Sequence, residues 1–327
     1  MATVFVLGAG GWGLGLALAS HRAGHTVTVW SCFEKEIEEL TLKRENVRLL
    51  PGVKIPEDIT FTTDLSAIAQ ANRVIVAVPS IYLRKTVEQT VPYVNKETII
   101  IDATKGIEDA TGLRMSQIIE ELLPSNPIVA LSGPTHAEEG GRGLPTSIVS
   151  SSHNLEAART VQDELMQPSL RVYVNPDIVG VELGGALKNV IALAAGICDG
   201  MHAGDNCKAA LMTRGLAEMA RLGEALGASR ETFFGLTGGG DMIVTCNSAF
   251  SRNHRAGVHI GKGLTPKQAV ELVGTVEGFY AVQSAYNLAQ KHNVEMPIVE
   301  QCYAVCYENK DPRTAVEALM CRGKRQE

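Results

Sequence analysis

Long apolar runs, a basic leader and an excess of positive charge are all missing from this 327-residue chain. No uninterrupted apolar run approaches the roughly 20 residues that a helix needs to span a bilayer. The N-terminus begins a β-rich run at once, without the basic start of a secretory signal. The formal net charge of −6 argues against a nucleic-acid or anionic-membrane surface. We therefore expect a cytoplasmic protein with no membrane span and no nucleic-acid partner.

Cysteine is present, but in no pattern typical of a metal site or a disulfide framework. The seven cysteines are scattered, and none belongs to a Cys-x-x-Cys pair. Cys302 and Cys306 lie one helical turn apart, yet no histidine or further cysteine nearby completes a ligand set. The pattern predicts reduced thiols and no metal.

Internal repeats and low-complexity segments are also absent, and the chain is long enough for two domains of roughly 100–200 residues each. Its character changes near residue 178. Short β-branched runs alternate with helical patterns before this point, whereas every pattern after it is helical. We predict a Rossmann-type α/β domain with a parallel sheet over residues 1–178 and an all-helical domain over residues 179–327.

The first glycine-rich segment directly follows an apolar strand, Val4 to Leu7. In Gly8-x-Gly10-x-x-Gly13, the first glycine allows a tight turn, the second lets the backbone approach a pyrophosphate, and the third lets the following helix pack closely. The N-terminus of that helix offers free N–H groups to phosphates. The segment predicts a dinucleotide site, and the alternative is a glycine turn that serves packing alone.

The second predicted strand ends without the acidic residue that often binds the ribose 2′-hydroxyl of NAD. The chain there reads Trp30-Ser31-Cys32-Phe33, and the first carboxylate is that of Glu34. No arginine is present there to attract the 2′-phosphate of NADP either. The sequence permits NAD or NADP. Residues 46–61, with two prolines and a glycine, are interpreted as a loop.

Polar residues follow two later strands at the carboxyl edge of the predicted sheet, where ligands of open α/β sheets bind. Lys105 comes just after the run 98–102, and Gly133 and Thr135 follow the run 128–131. Thr135 either caps the helix that begins near Ala137 or contacts a ligand. We predict that Lys105 faces a ligand.

Lys188 lies in the middle of a long apolar helix, where burial would move the lysine pKa toward neutrality, as a general acid–base group requires. The alternative is a lysine that reaches the surface. A second glycine-rich segment, 237–240, is interpreted as a turn that ends in Asp241 and places this carboxylate beside Lys188.

A helix that begins at Ser251 predicts an anion site. Ser251 is a good N-cap, and the free N–H groups, the helix dipole and Arg252 suit one phosphate. A solvated basic turn is the alternative. Glu277 either accepts hydrogen bonds from a cofactor or only begins a helix; the spacing does not decide between them.

These segments together resemble the bacterial NAD(P)-dependent glycerol-3-phosphate dehydrogenase family. They run in the family's order through almost the whole chain: GAGGWG at 8–13, ATKG at 103–106, SGPTHAEE at 132–139, GGALKNVIA at 184–192, GGGDMIVTC at 238–246, SRN at 251–253 and VEG at 276–278. The resemblance implies reversible hydride transfer between NAD(P)H and dihydroxyacetone phosphate, giving sn-glycerol 3-phosphate for glycerophospholipid synthesis.

The resemblance also implies a role for each matching residue, with Lys188 as the catalytic acid–base lysine. The substrate would contact Lys105, Gly133, Thr135, Lys188, Asp241, Ser251, Arg252 and Asn253. The cofactor would contact Gly8, Gly10, Gly11, Trp12, Gly13, Lys105, Ala137, Arg252 and Glu277.

Two other classes of protein stay open at this point. A β-hydroxyacid dehydrogenase would share the Rossmann half and a lysine-bearing helix but would use a carboxylate substrate. A non-catalytic dinucleotide sensor would keep the glycine turn without needing Lys105, Lys188 and Asp241 together. A homodimer is the base-rate expectation for a soluble oligomer.

Overall fold

A computed structural model describes residues 1–324, which form two compact units. The first unit comprises Met1–Lys105 and Leu113–Glu182. The second comprises Gly106–Gly112 and the chain from Leu183 onward. The short segment 106–112 thus belongs to the second unit although the first unit flanks it on both sides in sequence. The domain boundary at residue 178 stays a prediction.

An eight-stranded sheet forms the centre of the first unit. Its strands are β1 (Thr3–Leu7), β2 (Thr26–Trp30), β3 (Thr60–Thr62), β4 (Arg73–Val76), β5 (Ile99–Asp102), β6 (Ile128–Ser132), β7 (Thr146–Ser151) and β8 (Leu170–Asn175). The strand order is β3-β2-β1-β4-β5-β6-β7-β8. The predicted α/β class is confirmed, but β7 runs antiparallel to β6, so the sheet is mainly and not wholly parallel.

Helices cover both faces of this sheet. They are α1 (Gly11–Arg22), α2 (Glu34–Lys43), α3 (Ser80–Thr90), α4 (Met115–Leu122), α5 (Ala137–Gly141) and α6 (Leu155–Leu165), with a 3₁₀ turn at Leu65–Gln70. Val4 and Val6 of β1 belong to one hydrophobic core, and Phe5 and Leu7 belong to the core on the opposite face. Burial on both faces explains why the central strands are almost wholly apolar.

Strand β3 begins within the last two residues of the segment, 46–61, that the sequence predicted as a loop, and ends one residue beyond it. It pairs in parallel with β2 through Thr28, Val29 and Trp30. The strand has only three residues, too few to produce a readable alternation of apolar and polar positions.

The strand order reverses beside β1, which has β2 on one side and β4 on the other. Crossovers that leave in opposite directions open a crevice at the carboxyl ends of such strands. The glycine turn that begins at Gly8 lies at this point, directly after β1.

From Leu183 onward, the secondary-structure elements of the second unit's described residues are all helical, as predicted, whereas its segment 106–112 contains no helix. Its helices are α7 (Ile178–Gly200, of which the residues from Leu183 onward belong to this unit), α8 (Asp205–Ala225), α9 (Arg230–Phe234), α10 (Asp241–Asn247), α11 (Arg252–Gly261), α12 (Pro266–Val273), α13 (Glu277–Lys291), α14 (Pro297–Tyr307) and α15 (Pro312–Met320). Helix α7 is long and apolar enough to cross a membrane by length and composition, but 94% of that window is buried inside the protein.

The second glycine-rich segment is helical, which corrects its interpretation as a turn. Residues Leu236–Gly240 form a π-helical turn that continues directly into α10. A Cβ at Gly238 would lie 2.1 Å from the carbonyl oxygen of Phe233, and a Cβ at Gly184 of α7 would lie 2.9 Å from that of Thr237. These glycines allow close helix packing, so the segment is not a flexible loop tip.

Candidate active site

The glycine turn of the first unit has the geometry that a dinucleotide phosphate needs. Gly8 has φ +115°, a conformation that side chains rarely adopt. A Cβ at Gly13 would lie 2.0 Å from the carbonyl oxygen of Gly8, whereas a Cβ at Gly10 would meet nothing within 4 Å. The turn is therefore tightly packed at its first and third glycines and open at its second, where backbone would approach the ligand.

Helix α1 begins at this opening with Gly10 as its N-cap residue and no acidic side chain in its first turn. Its first N–H groups and the positive end of the helix dipole are suited to an anion. These residues fit the pyrophosphate of NAD or NADP.

Three more residues assigned to the cofactor, Gly11, Trp12 and Ala137, lie in or beside the turn. A Cβ at Gly11 would lie 3.3 Å from the Cβ of Ala137, the first residue of α5. The indole of Trp12 lies against Gly15 and Gly140. A contact of Trp12 with the phosphates would therefore use its backbone N–H rather than its ring.

A carboxylate lies at the end of β2 after all, which sequence reasoning missed. Ser31 Oγ donates a hydrogen bond to Glu36 Oε2 at 2.6 Å and accepts one from the N–H of Phe33 at 3.2 Å. The first turn of α2 folds the half-buried Glu36 back toward the strand end. An acidic residue that follows the second strand of such a sheet can contact a ribose 2′-hydroxyl.

Lys105, Gly133 and Thr135 come together at the carboxyl ends of β5 and β6. Lys105 Nζ donates to the carbonyl oxygen of Gly133 at 2.9 Å and to Thr135 Oγ1 at 3.3 Å. Gly133 has φ +149°, and a Cβ there would lie 3.1 Å from Ser147 O and Ile148 Cα. The N-cap of α5 is His136, so the alternative that Thr135 caps this helix is excluded.

The turn before Lys105 is held by a buried carboxyl group. Asp102 is 2% exposed, and its Oδ1 accepts from the N–H of Thr104 at 3.0 Å. Burial, and then the charge of Glu182, raise the pKa of Asp102 well above its usual range. Thr104 Oγ1 donates to the carbonyl oxygen of Val78 at 3.2 Å, which ties the turn to the neighbouring strand end.

In the second unit, Lys188 and Asp241 form a buried ion pair. Lys188 Nζ lies 2.9 Å from Asp241 Oδ1, with the two side chains 7% and 1% exposed. The structure thus places Asp241 beside Lys188, as the sequence predicted. A lysine that reaches the surface is excluded by this burial.

Thr245 is a third member of this cluster that sequence reasoning did not find. Lys188 Nζ donates to Thr245 Oγ1 at 2.7 Å. The Thr245 hydroxyl in turn donates to Asp241, whose carbonyl oxygen lies at 2.6 Å and whose Oδ1 lies at 3.1 Å. The spacing of four residues between Asp241 and Thr245 was the available signal, but it has meaning only when the segment is helical.

An amide chain connects α7, α11 and α13. Asn253 Nδ2 donates to Asn189 Oδ1, and the N–H of Gly278 donates to Asn253 Oδ1, both at 2.8 Å. Asn189 is buried next to Lys188 along α7. Asn253 is thereby fixed at the start of α11, and Glu277 is the first residue of α13 beside this chain.

The start of helix α11 has the features of an anion site. Ser251 is its N-cap and accepts from the N–H of His254 at 3.1 Å, and Arg252 is its first residue. No acidic residue lies in the first turn. The helix dipole and Arg252 therefore both favour an anion at this end.

The structure thus gathers the predicted residues into groups within each unit. In the first unit these are the glycine turn with Ala137, and Lys105 with Gly133 and Thr135. In the second unit they are Lys188 with Asp241, and Asn253 with the starts of α11 and α13. The ligand assignments of these residues stay predictions. Among residues 1–324, no group of three or more His, Cys, Asp and Glu side chains could hold a metal.

A doubly wound sheet with an open glycine turn, together with a buried lysine–aspartate pair, defines a dinucleotide-dependent dehydrogenase. Residues 3–158 match the N-terminus and residues 177–317 match the C-terminus of NAD-dependent glycerol-3-phosphate dehydrogenase. The chain belongs to this family, and the resemblance noted in the sequence is confirmed.

Individual relatives match over the full chain. A glycerol-3-phosphate dehydrogenase [NAD(P)+] of Fusobacterium nucleatum is 49% identical over 331 residues, covering 100% of this chain and 99% of the relative. The protein of the same name from Desulfitobacterium hafniense is 48% identical over 328 residues, covering 100% and 93%. The crystal structure of glycerol-3-phosphate dehydrogenase from Coxiella burnetii is 36% identical, with a TM-score of 0.94 over 98% of this chain and 99% of that one.

Proposed function

We propose that the chain reversibly converts dihydroxyacetone phosphate and NAD(P)H into sn-glycerol 3-phosphate and NAD(P)⁺. The observation that carries this proposal is the Lys188–Asp241 pair, 2.9 Å apart and buried in a chain of this family. A buried lysine beside a carboxylate can hold a proton at one place and give it to a ketone oxygen.

The first unit binds the cofactor in this proposal. The N–H groups at the start of α1 hold the pyrophosphate, and the open side of Gly10 leaves room for it. When bound, NAD(P)H supplies the hydride for C2 of the ketone. The protein supplies position and charge.

Lys188 is the acid–base residue. In the reducing direction its protonated Nζ donates to the ketone oxygen, and Asp241 and Thr245 fix the direction of the ammonium group. Lys105 is assigned as a second donor to the developing oxyanion.

The start of α11 binds the substrate phosphate. Ser251, Arg252 and Asn253 are the residues assigned there, and Asn253 is held in place by Asn189 and Gly278. A fixed phosphate positions C2 for hydride transfer, and positioning of this kind contributes roughly 7–11 kcal/mol in the best intramolecular cases. Gly133 and Thr135 are assigned to the substrate, and Ala137 and Glu277 to the cofactor.

The proposal includes a cellular setting. The relatives that match are bacterial, and the product would enter glycerophospholipid synthesis in the cytoplasm. The ligand is a small phosphate ester, without nucleic acid or membrane insertion. A homodimer is proposed on base rates alone.

A spectrophotometric assay tests the function. The purified protein is mixed with dihydroxyacetone phosphate and either NADH or NADPH, and the absorbance of the reduced nicotinamide is followed. Rapid oxidation is expected, and the ratio of the two rates gives the cofactor preference. Turnover only of a keto acid with NAD(P)H, or of a hydroxy acid with NAD(P)⁺, would replace the proposal by the hydroxyacid class. Cofactor binding without any turnover would favour the sensor.

A further inference from the structure

Two cysteines face each other where α7 ends and α8 begins. The Sγ atoms of Cys198 and Cys207 are 3.9 Å apart, and both thiols are free. Cys198 is buried, whereas Cys207 is half-buried in the exposed first turn of α8. A disulfide has an S–S distance of about 2.05 Å, so each sulfur would need to move by roughly 1 Å to form one.

We propose that Cys198 and Cys207 form a modification site that peroxides and small disulfides close into an intramolecular disulfide, and that closure weakens substrate phosphate binding at the start of α11. The site itself rests on the geometry of the two sulfurs. Its effect on the substrate rests on the proposed function.

The order of reaction follows from exposure. Cys207 is the more accessible thiol, and burial raises the pKa of Cys198 to about 12, so Cys207 reacts first. Its sulfur attacks a peroxide oxygen, the O–O bond breaks, and a sulfenic acid and one water result. The Cys198 sulfur then attacks the Cys207 sulfur; the S–S bond forms, the S–O bond breaks, and the second water leaves with the proton of Cys198. Two electrons pass from the thiols to the peroxide. With a small disulfide, the Cys207 sulfur attacks one sulfur, the S–S bond breaks and one small thiol leaves. The Cys198 sulfur then attacks the Cys207 sulfur of this mixed disulfide, and the second small thiol leaves.

Charged neighbours connect this dithiol to α11. Asp199 follows Cys198, and its Oδ2 lies 2.8 Å from Nζ of Lys208, which follows Cys207. The same oxygen lies 2.7 Å from Nε2 of His254 in the first turn of α11. Movement of the Cys198 backbone therefore moves Asp199, which contacts His254, and movement of the Cys207 backbone moves Lys208, which contacts the same Asp199 oxygen.

Close helix packing carries this displacement further. A Cβ at Gly196 of α7 would lie 2.1 Å from the carbonyl oxygen of His254, and a Cβ at Gly200 would lie 2.3 Å from that of Val258. A Cβ at Gly257 of α11 would lie 2.1 Å from the carbonyl oxygen of Leu193. The two backbones are in direct contact, so a shift at the end of α7 displaces α11 and the phosphate site at its start.

The test treats the reduced protein with hydrogen peroxide and, separately, with oxidised glutathione. Peptide mapping should find Cys198 linked to Cys207. The KM for dihydroxyacetone phosphate should rise at least threefold, and dithiothreitol should reverse the change. The Kd for NADH, measured by nicotinamide fluorescence, should change less than the KM, because the glycine turn belongs to the other unit and only Arg252 and Glu277 among the assigned cofactor contacts belong to the helical unit.

Two serine variants provide the comparison. Cys207→Ser, outside the catalytic and binding residues, should keep the KM of the reduced protein and lose its sensitivity to oxidants. Cys321→Ser, which removes an exposed cysteine after α15, should stay sensitive. Should Cys207→Ser fold poorly, Cys207→Ala serves the same purpose.

Oxidation of the exposed thiols without a Cys198–Cys207 peptide would overturn the site. A linked Cys198–Cys207 peptide with an unchanged KM would overturn the proposed effect of the disulfide on the phosphate site at the start of α11. A reduced protein that binds NADH but does not turn over dihydroxyacetone phosphate would end the proposed function, while the peptide map would still decide whether the disulfide forms.

Discussion

Nζ of Lys188 and Oδ1 of Asp241 lie 2.9 Å apart in an interior that leaves the two side chains 7% and 1% exposed. Removing one partner of such a pair leaves a buried charge without compensation, which costs about 3–5 kcal/mol. Activity and stability therefore both depend on the pair, and experiments must separate the two.

Lys188→Ala should lower kcat by a factor on the order of 10²–10⁴, because the proton donor is lost. The affinity for NADH should not change, and fluorescence titration measures it independently of turnover. Since the variant also removes the lysine charge beside the buried Asp241, Lys188→Ala with Asp241→Asn should recover stability in urea without recovering kcat. Substantial turnover by a folded Lys188→Ala protein would remove Lys188 from its acid–base role.

Thr245→Val should lower kcat by about tenfold, the effect of about 1.4 kcal/mol on the barrier, with KM nearly unchanged. The hydroxyl accepts from Lys188 and donates to Asp241, so its loss frees the lysine to turn away. Thr245→Ser keeps this hydroxyl and should retain most activity. Equal losses in the two variants would show that side-chain packing, and not the hydroxyl, is important at this position.

Gly10→Ala should lose affinity for NADH, whereas Gly13→Ala should lose stability. A Cβ at Gly10 meets nothing within 4 Å, so this variant should melt at the wild-type temperature but bind NADH at least tenfold more weakly. A Cβ at Gly13 would lie 2.0 Å from the carbonyl oxygen of Gly8, so this variant should lose thermal stability before any ligand is added. Unchanged NADH affinity in Gly10→Ala would place the pyrophosphate elsewhere.

Glu36→Gln should tighten the binding of NADPH by roughly fivefold, the effect of about 1 kcal/mol. The carboxylate that Ser31 holds at the end of β2 repels a 2′-phosphate, and the wild-type protein should accordingly prefer NADH. Titrations at low and high salt measure the effect, which salt should reduce. Glu38→Gln, exposed on the same helix, is the matched control and should leave both affinities unchanged.

Glu218 should make the protein less stable as the pH rises from about 4.5 to about 7. This carboxyl group of α8 is buried and accepts from the N–H groups of Ile298 and Val299. Burial raises its pKa from 4.5 to about 7, so within this range the folded protein keeps a proton that the unfolded chain has lost. The decrease amounts to about 3 kcal/mol and ends above the folded pKa.

Urea unfolding at several pH values measures how the free energy of unfolding changes with pH. This change should be smaller in Glu218→Gln. Glu88→Gln, exposed on α3, should leave the change as it is in the wild type. The assignment would be contradicted if the wild-type protein gained stability over this pH range and Glu218→Gln gained it equally.

The first part of the candidate site could be predicted because its residues are neighbours in sequence. The glycines from Gly8 to Gly13 lie between β1 and α1, so a local pattern fixes their geometry. Lys188 and Asp241 could be paired across 53 positions (241 − 188) only because a lone charge in an apolar helix demands a partner.

Glu36 and Thr245 were missed for a shared reason. Each side chain contacts a residue that is one helical turn or more away in sequence. Whether the two side chains meet therefore depends on where the helix begins. Treating residues 237–240 as a turn hid the start of α10 and with it the register of Thr245. The direction of β7 was equally hidden, because alternation of strands and helices does not state which way a strand near the end of the sheet runs.

The segment 106–112 limits how this protein can be divided. It belongs to the helical unit, where the carbonyl oxygen of Ile107 accepts from Ser284 Oγ and a Cβ at Gly112 would lie 3.2 Å from the Leu288 side chain. A truncated chain that starts at Leu183 would lack this segment and leave Ser284 and Leu288 of α13 uncovered. Circular permutation or joining 106–112 through a linker, rather than simple truncation, is the route to an independent helical fragment.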